Sequence, residues 1–429
     1  MMKKVTMFVW NHFTNDARVM RECLTLSQNG YDVNLIGIAN KKIPEAIPYE
    51  EINQNFKVHR VPMYPKTLEY YFKRKKRVTA ITAGATALMS PLLYKYSKSS
   101  LVLMLSTLIA TGVILKNNSL RQNTVKLIRS LRMILKGIQL KADIYHSNDL
   151  NTLAQGVICT ILHDSQLVYD SHEVQTDRTG YNPDTVKLVE KNLIKFAAET
   201  IVENATRAKK HEELYGYLPK TLHNYSKFYE IDKVSDVDLY EMLDIDRSKK
   251  ILLYQGGVQF GRGLNVLINS MECIENGVLV IIGDGKLKAD LMEETSKRDL
   301  TDKVKFLPKV PLEDLPSYTK QAYIGYQVLQ NTSYNHYSAS SNKLFEYIMA
   351  EVPVVSCDFP EIKRVVEEEN IGLIVDTEKP ESIAAATQKI VDNPELRNEL
   401  SMNCRSAKFK YNWENEKEEL LNIYKELSN

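Results

Sequence analysis

The chain has 429 residues, enough for two domains of ordinary size, with 44% hydrophobic and 26% charged residues and a formal charge of +2. Its five cysteines, Cys23, Cys159, Cys273, Cys357 and Cys404, stand singly and in odd number, which argues against a disulfide framework or a Cys-based zinc site and fits a reducing compartment. The small net charge hides an asymmetry: from Tyr70 to Lys141 there are 14 Lys and Arg and no Asp or Glu, so this segment carries +14 and the rest of the chain −12.

Met1-Met2-Lys3-Lys4 is followed only by Val5 to Trp10 before polar Asn11 and His12, too short an apolar run for a secretory signal, and it predicts a buried first strand. Helical periodicity then runs from Asp16 through Leu26 towards Gly30, with Thr14, Asn15 or Asp16 as the cap, and Asp32–Ile38 reads as the next strand. Strand, helix, strand in this order opens a parallel, doubly wound sheet. Arg18 reads as a surface residue making caps and ion pairs.

After strand Lys57–Val61 comes the basic insertion. Lys73-Arg74-Lys75-Lys76-Arg77 precedes an apolar run, Val78–Tyr94, broken by Pro91, and a second run spans Leu101–Leu115. As helices these reach about 22–26 Å, short of a hydrocarbon core of about 30 Å, so a hairpin dipping into one leaflet is expected, with two short spans as the other possibility. Arg121, Lys126, Arg129, Arg132 and Lys136 gather on one face of a following basic amphipathic helix. Aromatic interleaving is missing and the neighbours are apolar, so the expected partner of 70–141 is an anionic membrane surface and not nucleic acid.

Asp143–Asp149 and Leu167–Glu173 each read as a strand ending in a polar tip, where open α/β sheets bind ligands, and this singles out His172. Thr200–Asn204 is a further strand, and the polar, acidic residues 231–250 read as a linker. Beyond it Ile251–Gln255 runs into a loop with Gly256, Gly257, Gly261 and Gly263, in which Arg262 is a cation suited to a diphosphate. Val278–Ile282 ends at Gly283-Asp284-Gly285, Val304–Leu307 is another strand, and Glu381 onward is helical to Leu427.

Ser333 to Asp358 is loop, helix and strand. The helix opening at Ser341-Asn342-Lys343 aims free N–H groups and a positive dipole end forward, Lys343 adds charge, and Glu346 one turn later lies on the same side, able to accept from two hydroxyls. An ordinary αβ unit with Glu346 on a solvated face would carry the same residues.

SNKLFEYIMAEVPVV, Ser341 to Val355, resembles the donor-binding helix of GT-B glycosyltransferases, in particular the retaining family 4 (group 1). The resemblance covers nearly the whole chain outside the basic insertion and implies a nucleotide-sugar donor, a UDP-sugar in the commonest case. Glu346 matches the family's ribose-binding glutamate, and Gly283, Asp284, Ser341 and Asn342 fall beside the nucleotide. His172 matches a contact to the donor sugar, and the loop with Asn15 and Asp16 matches the acceptor side. Two positions depart from the pattern: the family's other glutamate falls on Ser338, and its diphosphate-binding Arg falls on Gly257, while its Lys is matched by Arg262. Lys343 then stands in for the missing cation.

The expected fold is α/β with GT-B architecture: two Rossmann-like domains facing a cleft, at 1–230 (with 70–141 as the insertion) and 251–411, joined by 231–250, and a helix at 412–429 crossing back to the first domain. The expected function is transfer of a sugar from a nucleotide diphosphate to a lipid-linked or polysaccharide acceptor at the cytoplasmic face of the cell membrane. Arg262, Lys343 and His172 are the catalytic candidates, with no metal and no cofactor beyond the co-substrate. A non-catalytic GT-B-like subunit of a glycan-assembly complex is the alternative, motivated by Ser338 and Gly257.

Overall fold

Apolar runs buried on both faces build two sheets, described here from a computed structural model that covers residues 2–428. The first consists of β1 (Lys3–Phe8), β2 (Tyr31–Ala39), β3 (Tyr49–Asn53), β4 (Phe56–Pro62), β5 (Ile144–Asn148), β6 (Gln166–Ser171), β7 (Glu199–Val202) and β8 (Lys220–Thr221), in the order β3-β4-β2-β1-β5-β6-β7-β8. The second consists of β9 (Lys250–Gln255), β10 (Gly277–Ile282), β11 (Val304–Leu307), β12 (Ile324–Gln327), β13 (Val354–Ser356) and β14 (Gly372–Ile374), in the order β11-β10-β9-β12-β13-β14. The described strand pairings are parallel in both except at β3, which runs antiparallel to β4. Two Rossmann-like α/β sheets are therefore present, as the strand-helix alternation implies. Compactness divides the chain into one unit up to Asp170 with Asn192–Glu199 and Ser428, and a second of Ser171–Lys191 with Thr200–Leu427.

In the first unit, helix α1 (Ala17–Gln28) follows β1 and is capped by Asp16, whose side chain accepts from Val19 N. The insertion is all helix: α2 (Lys66–Lys73), α3 (Lys75–Tyr96), α4 (Lys98–Lys116) and α5 (Asn118–Leu140). The helices α3 and α4 extend past the apolar runs, 22 and 19 residues or about 33 and 29 Å, and Pro91 sits inside α3 without ending it. Neither buries a residue, and α4 has a mean hydropathy of 1.8. The basic face expected on α5 is only partly a free surface. The helix buries Val125, Arg129, Met133, Ile134 and Gly137, and a Cβ at Gly137 would lie 2.7 Å from Phe8 and 2.8 Å from Cys159, so only glycine permits this approach to β1. Arg129 stacks over Trp10, and Arg132 donates to the carbonyls of Pro62 and Tyr64.

In the second unit, residues 231–250 carry local structure of their own. They form a helix, Leu239–Leu243, capped by Asp238, and Leu239 and Ile245 are buried in a core shared with Phe345, Tyr347 and Ile348. The last helix, Trp413–Glu426, is held to the 223–228 segment: Glu416 accepts from His223 N, Glu414 from Phe228 N, and Trp413 N donates to Ser226 O.

Candidate functional site

The second unit gathers its chemistry at the carboxyl ends of β9 and β10. Glycine is required there by contact. Gly283 has φ +154, and a Cβ on it would lie 1.9 Å from Gly256 O, so the turns after β9 and β10 touch through bare backbone. Gly256 N donates to Ile282 O and Val258 N to Asp284 O, which locks the two turns together. The Asn342–Met349 helix ends against them. Its N-cap residue, Ser341, turns its hydroxyl to Gln327 at 3.1 Å instead of capping, so the first-turn N–H groups keep their donor capacity.

Lys343 lies on the buried side of that helix with its Nζ over the Tyr254 ring at 4.1 Å, beside the backbone of Gly256. Burial and then the Arg262 charge push its ammonium down to about 7, against the pull of Glu346. Tyr254 is fixed in turn by donating to Gly257 O at 2.9 Å. Half-buried Glu346 accepts from Gln255 Nε2 at 2.6 Å, and Gln255 Oε1 accepts from Thr319, so the carboxylate is oriented by a two-step relay. Tyr347 donates to Leu253 O at 3.0 Å and ties the helix to β9. The structure thus brings Lys343, Glu346, Gly256, Gly257, Gly283 and the electrostatic reach of Arg262 into one place.

The other candidates have different occupations. Asp284 accepts from Lys288 Nζ and from Lys309 N, both at 2.9 Å, and these hold its carboxyl below the ordinary range, so it closes the turn. The Asn342 side chain accepts from Asn224. Half-buried His172 contributes its carbonyl to Arg207. Arg207 is a residue the sequence reading missed: it is buried, pairs with Glu203, and donates to Ser338 Oγ at 3.3 Å, while Asn204 donates to Ser338 O at 2.8 Å. Position 338 is therefore a neutral hydroxyl held by a buried guanidinium. A helix-start pattern, Asn204 capping Arg207 N, was the signal available for this cluster.

The first unit holds a separate constellation. Arg18 is not on a surface: it is 5% exposed and forks onto Asp170, Nε to Oδ2 at 3.0 Å and Nη2 to Oδ2 at 2.8 Å, and forms an ion pair with Glu22, Nε to Oε1 at 3.0 Å. His146 Nε2 lies 3.9 Å from Asp170 Oδ2. Glu22, His146 and Asp170 offer ligand atoms within 4.8 Å of one another, a donor set that suits a cation, and the Arg18 guanidinium already supplies one. Asp16 is spent as the α1 cap and as acceptor for Asn11 Nδ2 at 2.7 Å, whereas Asn15 is exposed.

Residues 240–407 match the family described as Glycosyl transferases group 1. Among curated proteins the chain is similar to the chitobiosyldiphosphodolichol beta-mannosyltransferase of Candida albicans, 26% identical over 196 residues, 42% of this chain and 41% of that protein. The chain spans about half the length of the curated relatives it matches first, 48% and 41%. Among solved structures, sucrose-phosphate synthase of Thermosynechococcus elongatus superposes with a TM-score of 0.69 at 16% identity over 99% of both chains. HepE of Anabaena, in complex with UDP-glucose, superposes with 0.67 at 12% identity over 99% of this chain and 100% of that one. The fold is therefore that of two-domain GT-B proteins, and residues 240–407 are the segment that matches the group 1 (family 4) glycosyl transferases.

Proposed function

We propose that the protein transfers a sugar from a UDP-sugar, with retention at the anomeric carbon, to a lipid-linked acceptor at the cytoplasmic face of a membrane. The carrying observation is a buried Lys343 beside Arg262, ahead of an uncapped helix start and one turn from a Gln255-oriented carboxylate. Such a set fits a nucleoside diphosphate. Arg262, Lys343 and the first-turn N–H groups hold the diphosphate oxygens, and Glu346 accepts from the ribose hydroxyls. When the glycosidic bond breaks, negative charge grows on the departing diphosphate, and fixed donors already aimed at it stabilise that charge without reorganisation. HepE is a solved neighbour that carries UDP-glucose, which supports UDP as the nucleotide.

Acceptor and location rest on the insertion. An unburied α3–α4 hairpin with 14 cations and no acids between Tyr70 and Lys141 suits the surface of an anionic bilayer, and a lipid-linked acceptor is the substrate such a surface delivers. The curated relative named for chitobiosyldiphosphodolichol supports the same acceptor class.

The test is UDP binding by calorimetry together with release of UDP from a panel of UDP-sugars, for the full chain and for Arg262→Glu/Lys343→Glu. Wild type should bind UDP and turn over a UDP-sugar, and the double reversal should do neither. Equal UDP affinity in the two proteins would remove the assignment.

A further inference from the structure

The first unit contains a cavity of about 940 Å³ that the donor site does not use, at the upper end of the roughly 300–1,000 Å³ typical of small-molecule sites. Its floor is the carboxyl ends of β2 and β4, at Ala39 and Pro62, the edge at which open α/β sheets receive ligands. Its walls are mostly apolar, from Ile43, Ile47, Met63, Leu68, Phe72 and Val125. Buried Arg60 braces the loop that forms one wall: it donates to Ile47 O, His12 O and Phe13 O, and pairs with Glu50 at 2.8 Å.

The rim is strongly positive. Lys41, Lys42, Lys73, Arg121, Lys126 and Arg129 line it, against one carboxylate, Glu69, which is taken by Lys41 at 2.5 Å. Arg121 and Arg129 are held in place over Phe72 and Trp10, and each also donates to a backbone carbonyl. The ammonium groups of Lys42, Lys73 and Lys126 make no hydrogen bond or ion pair among the described residues. The field is felt by Glu69, whose carboxyl Lys41 above all, with Lys73 and Arg132, holds below the ordinary range.

Both roots of the apolar hairpin stand at this mouth. Lys73 ends α2 two residues before α3 begins, and Asn118, also a lining residue, opens α5 two residues after α4 ends. An apolar chain emerging from the cavity therefore meets helices that bury nothing in the protein.

We propose that this cavity is a binding site for a lipid whose hydrocarbon chain is esterified to phosphate, with the phosphate held by Lys42, Lys73, Lys126 and Arg121 and the proximal chain against Ile47, Phe72 and Val125. On the glycosyltransferase reading above, on which only this identification rests, that lipid is the carrier of the acceptor. The apolar walls disfavour a free inorganic anion as the ligand, and the concave shape distinguishes one lipid from a bilayer surface.

The probe is decyl phosphate below its micellar concentration, titrated into the full chain and followed by Trp10 fluorescence and calorimetry, with decanol and inorganic phosphate as controls. Decyl phosphate should bind with saturation, and each control should bind at least about tenfold more weakly, because charge-assisted bonds and chain burial each contribute about a decade or more. Lys73→Ala/Lys126→Ala and, separately, Ile47→Asp change exposed or half-exposed side chains, so both should fold, and both should lose about tenfold in affinity. Sedimentation with anionic vesicles should persist in Ile47→Asp, since α3 and α4 are untouched. Unchanged decyl phosphate affinity in both variants, equal binding of inorganic phosphate, or loss of vesicle and decyl phosphate binding by the same factor in Ile47→Asp would overturn the proposal. UDP affinity, measured on the same samples, keeps the two readings apart: its retention with no decyl phosphate binding sinks only the lipid site, and its absence sinks the donor assignment.

Discussion

Lys343 gives the sharpest quantitative test, because its ammonium is depressed to about 7 by burial and by Arg262. If the diphosphate binds the charged form, the lysine must take up a proton whenever it is neutral beforehand. Half the free protein is charged at pH 7 and about 1% at pH 9, so UDP affinity should fall about 50-fold across that range, or about 2.3 kcal/mol. The nucleotide's own last phosphate ionisation, near 6, is nearly complete above pH 7 and adds little slope. Calorimetry at pH 8 in buffers of different ionisation enthalpy should read about 0.9 proton taken up per UDP bound. Lys343→Met should show weak, nearly pH-independent binding and no uptake.

Stability gives the same group a second readout. The unfolded chain holds this proton more tightly than the folded one, so folding is disfavoured below pH 7 and the penalty is relieved as pH rises towards 10.5. Lys343→Met, which keeps the stack on Tyr254, should therefore be more stable than wild type at pH 6, by at most about 5 kcal/mol, and the difference should shrink as pH rises. Proton uptake below about 0.2 in wild type, or the same uptake in Lys343→Met, would refute the placement of the diphosphate at this ammonium.

Glu346→Gln keeps the shape but removes a charged acceptor at 2.6 Å from Gln255, so UDP affinity should fall about tenfold or more with little change in thermal midpoint. Gly283→Ala forces a Cβ to within 1.9 Å of Gly256 O and should both lower the midpoint and abolish UDP binding, readable by thermal shift with and without UDP. Arg18→Met strands Asp170 and Glu22 without their cation and should cost about 3–5 kcal/mol in urea unfolding at pH 8. Leu103→Asp/Ile109→Asp in α4 alters two side chains that are each 68% exposed, so urea stability should hold while sedimentation with anionic vesicles falls away.

The parallel sheets were legible because β1, β2, β5, β6, β9 and β10 are buried on both faces and read as short apolar runs between turn residues. β3 was not: YEEIN is a charged, largely exposed edge strand, fixed by pairing with β4 and not by its own pattern. Glu346 and Lys343 were legible as neighbours on one helix, but the burial of Lys343 under Tyr254 was not, since it depends on a β9 residue 89 positions earlier coming within 4.1 Å. Arg18 was misjudged for the same reason. Its helix carries charge at surface-like spacing, and only the arrival of Asp170 from β6 turns that face inward. Asp284 was legible as a polar residue at the glycine turn, but its contacts with Lys288 and the Lys309 amide were not, since the turn implies neither.

Two buried cations show how similar burial leads to opposite roles. Arg18 meets Asp170 and Glu22 at 2.8–3.0 Å, so its charge is answered inside the fold and its removal is a stability defect. Lys343 is equally withdrawn from water but forms no ion pair among the described residues, with an aromatic face at 4.1 Å and the Glu346 charge one turn on to set against a second cation. A protein that carries a buried, incompletely answered ammonium is held in a state that an anion relieves, and this is the physical sense in which the site is preorganised. The distinction can be measured without any substrate: inorganic pyrophosphate should raise the thermal midpoint of wild type at pH 8 and leave that of Lys343→Met unmoved, whereas equal stabilisation of both would mean that the anion settles elsewhere.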